Sequence, residues 1–179
     1  MFKLNFDKIK PEYRNVSLKP APLFDEEGSD SFENQLLLGG RPSGIVNMNT
    51  VRYSWSTTIY NKMWSQFWLP QNVDMSSDKN TITQLTPHEL KAHKNTISFL
   101  AFMDSFQINN LPNIFEYMTS PMVKACGAVQ EAFETIHTQA YQFSIEATIP
   151  INERDDIYNR WKDNPLLKHR IQTMTIIAE

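Results

Sequence analysis

Apolar residues recur at every fourth position at Trp55, Ile59, Met63 and Phe67. That period predicts an amphipathic helix, closed by Pro70. Thr86-Pro87-His88-Glu89 then predicts a strong helix start, with Thr86 as N-cap, Pro87 at the first helical position and Glu89 completing a capping box. The helix that follows carries Ile97, Leu100, Ala101, Asp104 and Ile108 on one stripe. Ser120-Pro121 opens the next helix by the same logic, and it can run to about Ala147 before Pro150 ends it. Its stripe is Val123, Gly127, Gln130, Glu134, His137, Tyr141 and Ile145, so polar groups hold the middle of a face that should be buried. A short helix is expected over roughly Glu153 to Lys162, and another from Pro165 with Leu166, Ile171 and Ile176 as apolar markers. The pattern contains no repeat and no strand alternation, and it predicts an all-α unit over 51–179.

Residues 1–50 read as an irregular N-terminal segment. Pro11, Pro20 and Pro22 break any helix, and Asp25 to Ser31 is acidic with Gly and Ser. Gly39-Gly40-Arg41-Pro42-Ser43-Gly44 superficially resembles a phosphate loop. It lacks the Gly-Lys-Ser/Thr ending and a preceding strand, so a turn leading into the first helix is expected instead.

Three polar positions change the picture. Asp104 sits on an otherwise apolar stripe, where an unpaired carboxylate is costly, so it needs a metal, a cation or a hydrogen-bonding partner. Glu134 and His137 stand at i and i+3 and project from one helical face, close enough to grip one ion. A carboxylate with an imidazole suits iron or manganese, and helix-bundle di-metal proteins combine Glu-x-x-His with single carboxylates from other helices. Tyr141, at i+7 from Glu134, shares that face. A phenol beside a metal suits one-electron chemistry better than hydrolysis. Taken alone, Tyr141 reads as a core tyrosine and Trp68 as packing. His88, His93 and His169 stand in polar settings and are expected to face solvent. Cys126 has no base nearby in sequence, which argues against a nucleophile.

Composition narrows the classes. The chain has 179 residues, enough for one domain with a core. A net charge of −3 with 21% charged residues gives no sign of a nucleic-acid or acidic-membrane surface. Apolar runs are too short to span a bilayer, and Met1 to Asp7 lacks the apolar core of a signal peptide. The single cysteine excludes an internal disulfide framework and fits a reducing, cytoplasmic setting. The Asn15-Val16-Ser17 sequon therefore carries no weight.

Three blocks together resemble one family. They are Phe67-Trp68-Leu69-Pro70 with Val73-Asp74-Met75-Ser76, then Phe102-Met103-Asp104-Ser105-Phe106-Gln107, then Phe133-Glu134-Thr135-Ile136-His137-Thr138-Gln139-Ala140-Tyr141. Their order and spacing resemble the small, radical-generating (β) subunit of class I ribonucleotide reductase, over about Leu38 to the C-terminus. The resemblance implies a ferritin-like helical bundle and a di-iron or di-manganese centre, iron favoured. It makes Asp104, Glu134 and His137 ligands of the first metal, Tyr141 the stable radical, and Trp68 the mouth of an electron-transfer route to a large catalytic subunit. A two-fold dimer of the assembled small subunit is part of the same implication.

The chain departs from that family where its second half would be. A further Glu, a second Glu-x-x-His, an acid linking the tryptophan to the first metal's histidine, and a tail for the large subunit are not found. The expectation is an N-terminal half bundle from a split small subunit, completed by a complementary C-terminal half chain and inactive alone. Two alternatives stand beside it. One is a homodimeric ferritin-like di-metal oxidase or metal store, in which two copies supply six ligands. The other is a non-catalytic half-bundle acting as an assembly partner.

Overall fold

The computed structural model describes residues 19–178, with side chains placed through Thr175. Pro11, the Asn15 sequon and the Met1 to Asp7 stretch lie outside these residues, and the Ile176 marker lies outside the described side chains. Among the described residues, six α-helices follow an irregular stretch: α1 Ser54–Ser65, α2 Asp78–Thr81, α3 Pro87–Phe115, α4 Pro121–Thr148, α5 Arg154–Asp163 and α6 Pro165–Ala178. Short 3-10 turns occur at Phe32–Asn34, Pro70–Asn72, Ile82–Gln84 and Ile151–Glu153. Among the described residues the only β-type pairing is an isolated antiparallel bridge between Leu38 and Met118.

The two long helices form an antiparallel hairpin that organises the rest. The α3 start has the capping box in full. Glu89 donates its backbone N–H to the Thr86 hydroxyl (3.3 Å), and its carboxylate accepts from the Thr86 N–H (2.8 Å). Pro112 lies inside α3, where it removes one helical N–H, yet the helix continues to Phe115. α4 starts at Pro121 as expected, and the Phe115 ring packs so closely on it that a Cβ at Gly127 would lie 2.5 Å from ring carbons. Helix α1 packs on α4, α5 on α3, and α6 on α5. Arg154 fastens the end of α4 by donating to the carbonyls of Ile149 (3.1 Å) and Glu146 (2.8 Å). Lys94 pairs with Glu153 across α3 and the turn before α5.

The N-terminal segment straps the α3–α4 turn. Ala21 donates its N–H to the Glu116 carbonyl (2.7 Å), and the Thr119 hydroxyl donates to the Leu36 carbonyl (2.8 Å) while accepting from the Leu36 N–H (3.2 Å). Gly40 adopts φ of 80°, and a Cβ there would meet the Asn34 carbonyl oxygen at 2.5 Å, so this turn needs glycine twice over. Arg41 is held by Asp25 (2.6 Å) and Glu27 (2.9 Å). The glycine-rich stretch is thus a charged turn whose cation is already used.

Several details differ from the sequence pattern. α1 ends at Ser65, so Phe67 and Trp68 lie beyond it. The reason is local: Leu69 precedes Pro70 and is extended (φ −115°, ψ 134°), as a residue before proline must be, and the chain leaves the helix in advance of it. Trp55, Ile59 and Phe67 of the α1 stripe are exposed. On α6 the buried residue is Leu167, while Leu166 is 60% exposed. The Asn164 side chain accepts from the N–H groups of Leu166 and Leu167, which sets the phase of that first turn. His88 and His169 face solvent, whereas His93 is half-buried with Nε2 3.2 Å from the Thr148 hydroxyl, because the end of α4 packs on that part of α3.

The core is a tight cluster of Ile97, Ile145, Ile149 and Ile157, drawn from α3, the end of α4 and α5. Together with Val123 these residues are already covered, and only Leu100 of the α3 stripe stays exposed. One run of uncovered large apolar groups lies on α1 and the turn after it: Trp55, Ile59, Trp64, Phe67, Trp68 and Leu69.

Candidate metal centre

The α3–α4 hairpin brings Asp104 opposite Glu134 and His137. One ligand atom from each lies within 4.8 Å of the others. The His137 Nδ1 stands 3.4 Å from Glu134 Oε2 and 3.6 Å from Asp104 Oδ2. The imidazole thus turns one nitrogen toward both carboxylates. Among the described residues no lysine or arginine pairs with either acid.

Burial makes this cluster expensive as it stands. The Asp104 and Glu134 side chains are 13% and 15% exposed, and Asp104 Oδ2 is buried with no hydrogen-bond partner. An unsatisfied buried acceptor costs about 1–3 kcal/mol, and more when charged. Two neighbouring carboxylates and one imidazole nitrogen form a hard, mixed O/N donor set suited to iron or manganese. The orphaned oxygen and the donor chemistry both fit a metal ion. His137 is 39% exposed, so the cluster opens to solvent on the side where the polar middle of the α4 stripe lies. Gln130 on that stripe is exposed, while its ends at Val123, Gly127 and Ile145 are buried.

Tyr141 stands one turn beyond His137 and packs against the isoleucine cluster. Its phenol is pushed up to about 12, first by burial, then by the adjacent Asp104 carboxylate and the charge of Glu134. The hydroxyl therefore keeps its proton at neutral pH. Trp68, released from α1, stacks on the His137 imidazole with ring centroids 6.4 Å apart and planes 29° apart. The structure thus gathers all five residues singled out from the sequence: Asp104, Glu134, His137, Tyr141 and Trp68. It also reveals a neighbourhood that no sequence pattern indicated. Phe133, next to Glu134, meets Phe67 (6.3 Å) and Trp64 (6.4 Å) from α1 and its extension. The only trace of this in the sequence is the density of aromatics between Trp64 and Trp68.

The sequence profile of the family described as "Ribonucleotide reductase, small chain" matches residues 45–179. The chain belongs to that family. It is 33% identical over 153 residues to the ribonucleoside-diphosphate reductase subunit beta of Treponema pallidum, covering 86% of this chain and 44% of that protein. It is 31% identical over 153 residues to the subunit beta of Halalkalibacterium halodurans, again covering 86% and 44%. Among solved structures, the ribonucleotide reductase R2 subunit from Clostridium botulinum superposes with a TM-score of 0.87 at 30% identity, covering 91% of this chain and 51% of that one. These 179 residues span a little under half the length of those curated relatives. The all-α, ferritin-like bundle expected from the sequence is borne out, as is its extent of about half a family member. No described helix is long and apolar enough to cross a membrane.

Proposed function

We propose that residues 51–179 form the N-terminal half of the bundle of a ribonucleotide reductase small subunit, and that they supply half of its di-metal site. The observation that carries this is the buried, unpartnered Asp104 Oδ2 facing Glu134 and His137, with Tyr141 beside it. Asp104, Glu134 and His137 would hold one metal ion. The remaining ligands, including a second Glu-x-x-His, come from polypeptide beyond these residues, in this reading a complementary C-terminal half chain. A large catalytic subunit, two-fold pairing of the completed small subunit and a cytoplasmic location belong to the same proposal. The carboxylate–imidazole set accommodates both iron and manganese, and this proposal takes iron as the metal.

When bound, the di-metal centre supplies one-electron oxidising power. The chain's own residues have three tasks. Asp104 and Glu134 use their negative charge to hold cations in a pocket that α3 and α4 keep partly dry. Tyr141 is the group oxidised: its phenol retains its proton until the electron leaves, and the adjacent Asp104 carboxylate lies where that proton would pass. Packing against the isoleucine cluster shields one part of the ring from water and reductants. Trp68, stacked on His137 and 40% exposed, joins the ligand cluster to the surface, which suits it to exchange electrons with a large subunit.

The test is reconstitution with a polypeptide carrying the second Glu-x-x-His. Elemental analysis should then give two metal ions per site, and oxygen or peroxide should produce a tyrosyl signal in electron paramagnetic resonance. His137→Ala should lose metal, and Tyr141→Phe should lose the signal. Full metal content in His137→Ala would refute the ligand assignment.

A further inference from the structure

The rings around Phe133 start one residue from Glu134 and lead to α1, a direction that Trp68 does not serve. Phe133 immediately precedes Glu134 on α4. Trp64 meets its ring edge-on, with centroids 6.4 Å apart and planes at 87°. Phe67 touches both, at 5.9 Å from Trp64 and 6.3 Å from Phe133. Tyr60, one helical turn before Trp64 on α1, contacts the indole edge-on at 6.3 Å. A continuous set of aromatic contacts therefore runs from the neighbour of Glu134 to the phenol of Tyr60. Trp68 stands apart from it, on the face of His137.

The residue types in this set differ in redox character. Tryptophan and tyrosine are the aromatic side chains that give up one electron readily at neutral pH, while phenylalanine does not. Phe133 and Phe67 can therefore bridge, and Trp64 and Tyr60 can be stations. Trp64 is 46% exposed, so its indole proton can reach water, and Tyr60 is half-buried, so a radical there is partly shielded. Tyr53 and Trp55 also touch, at 5.8 Å, but no ring contact among the described residues ties them to Phe133.

We propose that Trp64 and Tyr60 form a one-electron relay that draws an oxidising equivalent away from the ligand cluster to a second tyrosine, by a route separate from Trp68. The source of that equivalent rests on the function proposed above; the Trp64–Tyr60 exchange does not. In the first step the Trp64 indole gives one electron to a one-electron oxidant, which in that function is the di-metal centre, and its N–H proton goes to water. In the second step Tyr60 gives one electron to the indolyl radical, which regains a proton from water, and the phenolic proton of Tyr60 goes to water. The net change is one electron from Tyr60 to the oxidant and one proton to solvent. The relay offers an outlet when Tyr141 does not take up the oxidising equivalent.

The exchange can be read without metal, by pulse radiolysis of the 179-residue chain with the azide radical as oxidant of tryptophan. Indolyl absorption should decay with a first-order rise of phenoxyl absorption. Tyr60→Phe and Trp64→Phe should each abolish that phase, and Tyr53→Phe should leave it in place, with circular dichroism showing unchanged helix content. An undiminished phase in Tyr60→Phe overturns the relay. The link to the cluster is read in the reconstituted, metal-loaded protein carrying Tyr141→Phe. Oxidation should now give a tyrosyl signal that disappears when Tyr60→Phe is added. No such signal, in a preparation whose wild-type form does give the Tyr141 signal, overturns the route from the cluster. Absence of any tyrosyl signal in the wild type counts against the proposed function itself, and the radiolysis result then decides the Trp64–Tyr60 exchange alone.

Discussion

The indole of Trp68 lies on the imidazole of His137, 6.4 Å between centroids and 29° between planes. Pro70 is the cause at one remove. By forcing Leu69 out of the helical region it ends α1 early and leaves Trp68 free to fold onto α4. A surface tryptophan is thereby placed against a candidate metal ligand.

Replacing that tryptophan should separate assembly from turnover. In the reconstituted small subunit, Trp68→Phe should keep full metal content and the tyrosyl signal, since the stacked ring remains. Nucleotide reduction with a large subunit should fall by about two orders of magnitude or more, equivalent to roughly 3 kcal/mol of barrier. Unchanged turnover would remove Trp68 from the electron route.

Asp104→Asn should move stability and metal binding in opposite directions. Without metal, the buried Oδ2 has no partner and stands near a second carboxylate. Removing its charge should raise the unfolding free energy of the metal-free chain, read by denaturant titration, by about 1 kcal/mol. The same change should abolish binding at that metal position, read by elemental analysis. Such opposition is the mark of a group kept for function at a cost in stability. A variant less stable without metal would mean that Asp104 has a structural partner.

Gly127→Ala should destabilise the α3–α4 hairpin. The new methyl would lie 2.5 Å from the Phe115 ring, and overpacking of this kind costs about 1–3 kcal/mol. Helix propensity returns about 1 kcal/mol, so a net loss of roughly 1 kcal/mol should appear in urea unfolding. Adding Phe115→Leu should reduce the penalty, and a double-mutant cycle should show coupling between the two sites. Additive effects would mean that the ring swings aside freely.

The exposed groups on α1 and after it set the behaviour of the isolated chain. Fully burying a side chain such as Ile59 or Phe67 is worth about 1.5–3 kcal/mol, and several stand together uncovered. The chain alone should sediment as a species larger than a monomer and bind metal weakly. With a polypeptide bearing the second Glu-x-x-His it should become monodisperse, and metal should raise the stability of that complex by linkage. A monodisperse monomer holding two metal ions would contradict this.

Elements with local signals were legible in the sequence. The Thr86–Glu89 capping box and the helix start at Pro121 are short-range devices, and both stand in the structure, although the Ser120 hydroxyl makes no cap bond. The i, i+3 pair of Glu134 and His137 needed only helical geometry, and Asp104 announced itself as an acid on an apolar stripe. What stayed hidden depended on tertiary packing. His93 is covered because the end of α4 brings Thr148 against it. Leu167 rather than Leu166 is buried because Asn164 sets the helix phase. Leu100 alone of its stripe is exposed, because Ile97 packs under α5 and the end of α4 while Asp104 faces the middle of α4. The contact of Trp64 with Phe133 joins residues far apart in the chain, and no local period encodes it.

Asp104, Glu134 and His137 all fall within one helical hairpin, joined by the short turn between Phe115 and Pro121. Closing such a hairpin needs only a short loop, whose entropic cost is small compared with that of joining distant segments. The ligand trio can therefore assemble early in folding, before any partner segment arrives. A partner segment would then close a site already half arranged, so the order of events in maturation would run from hairpin to completion of the bundle, and tight metal binding would come last.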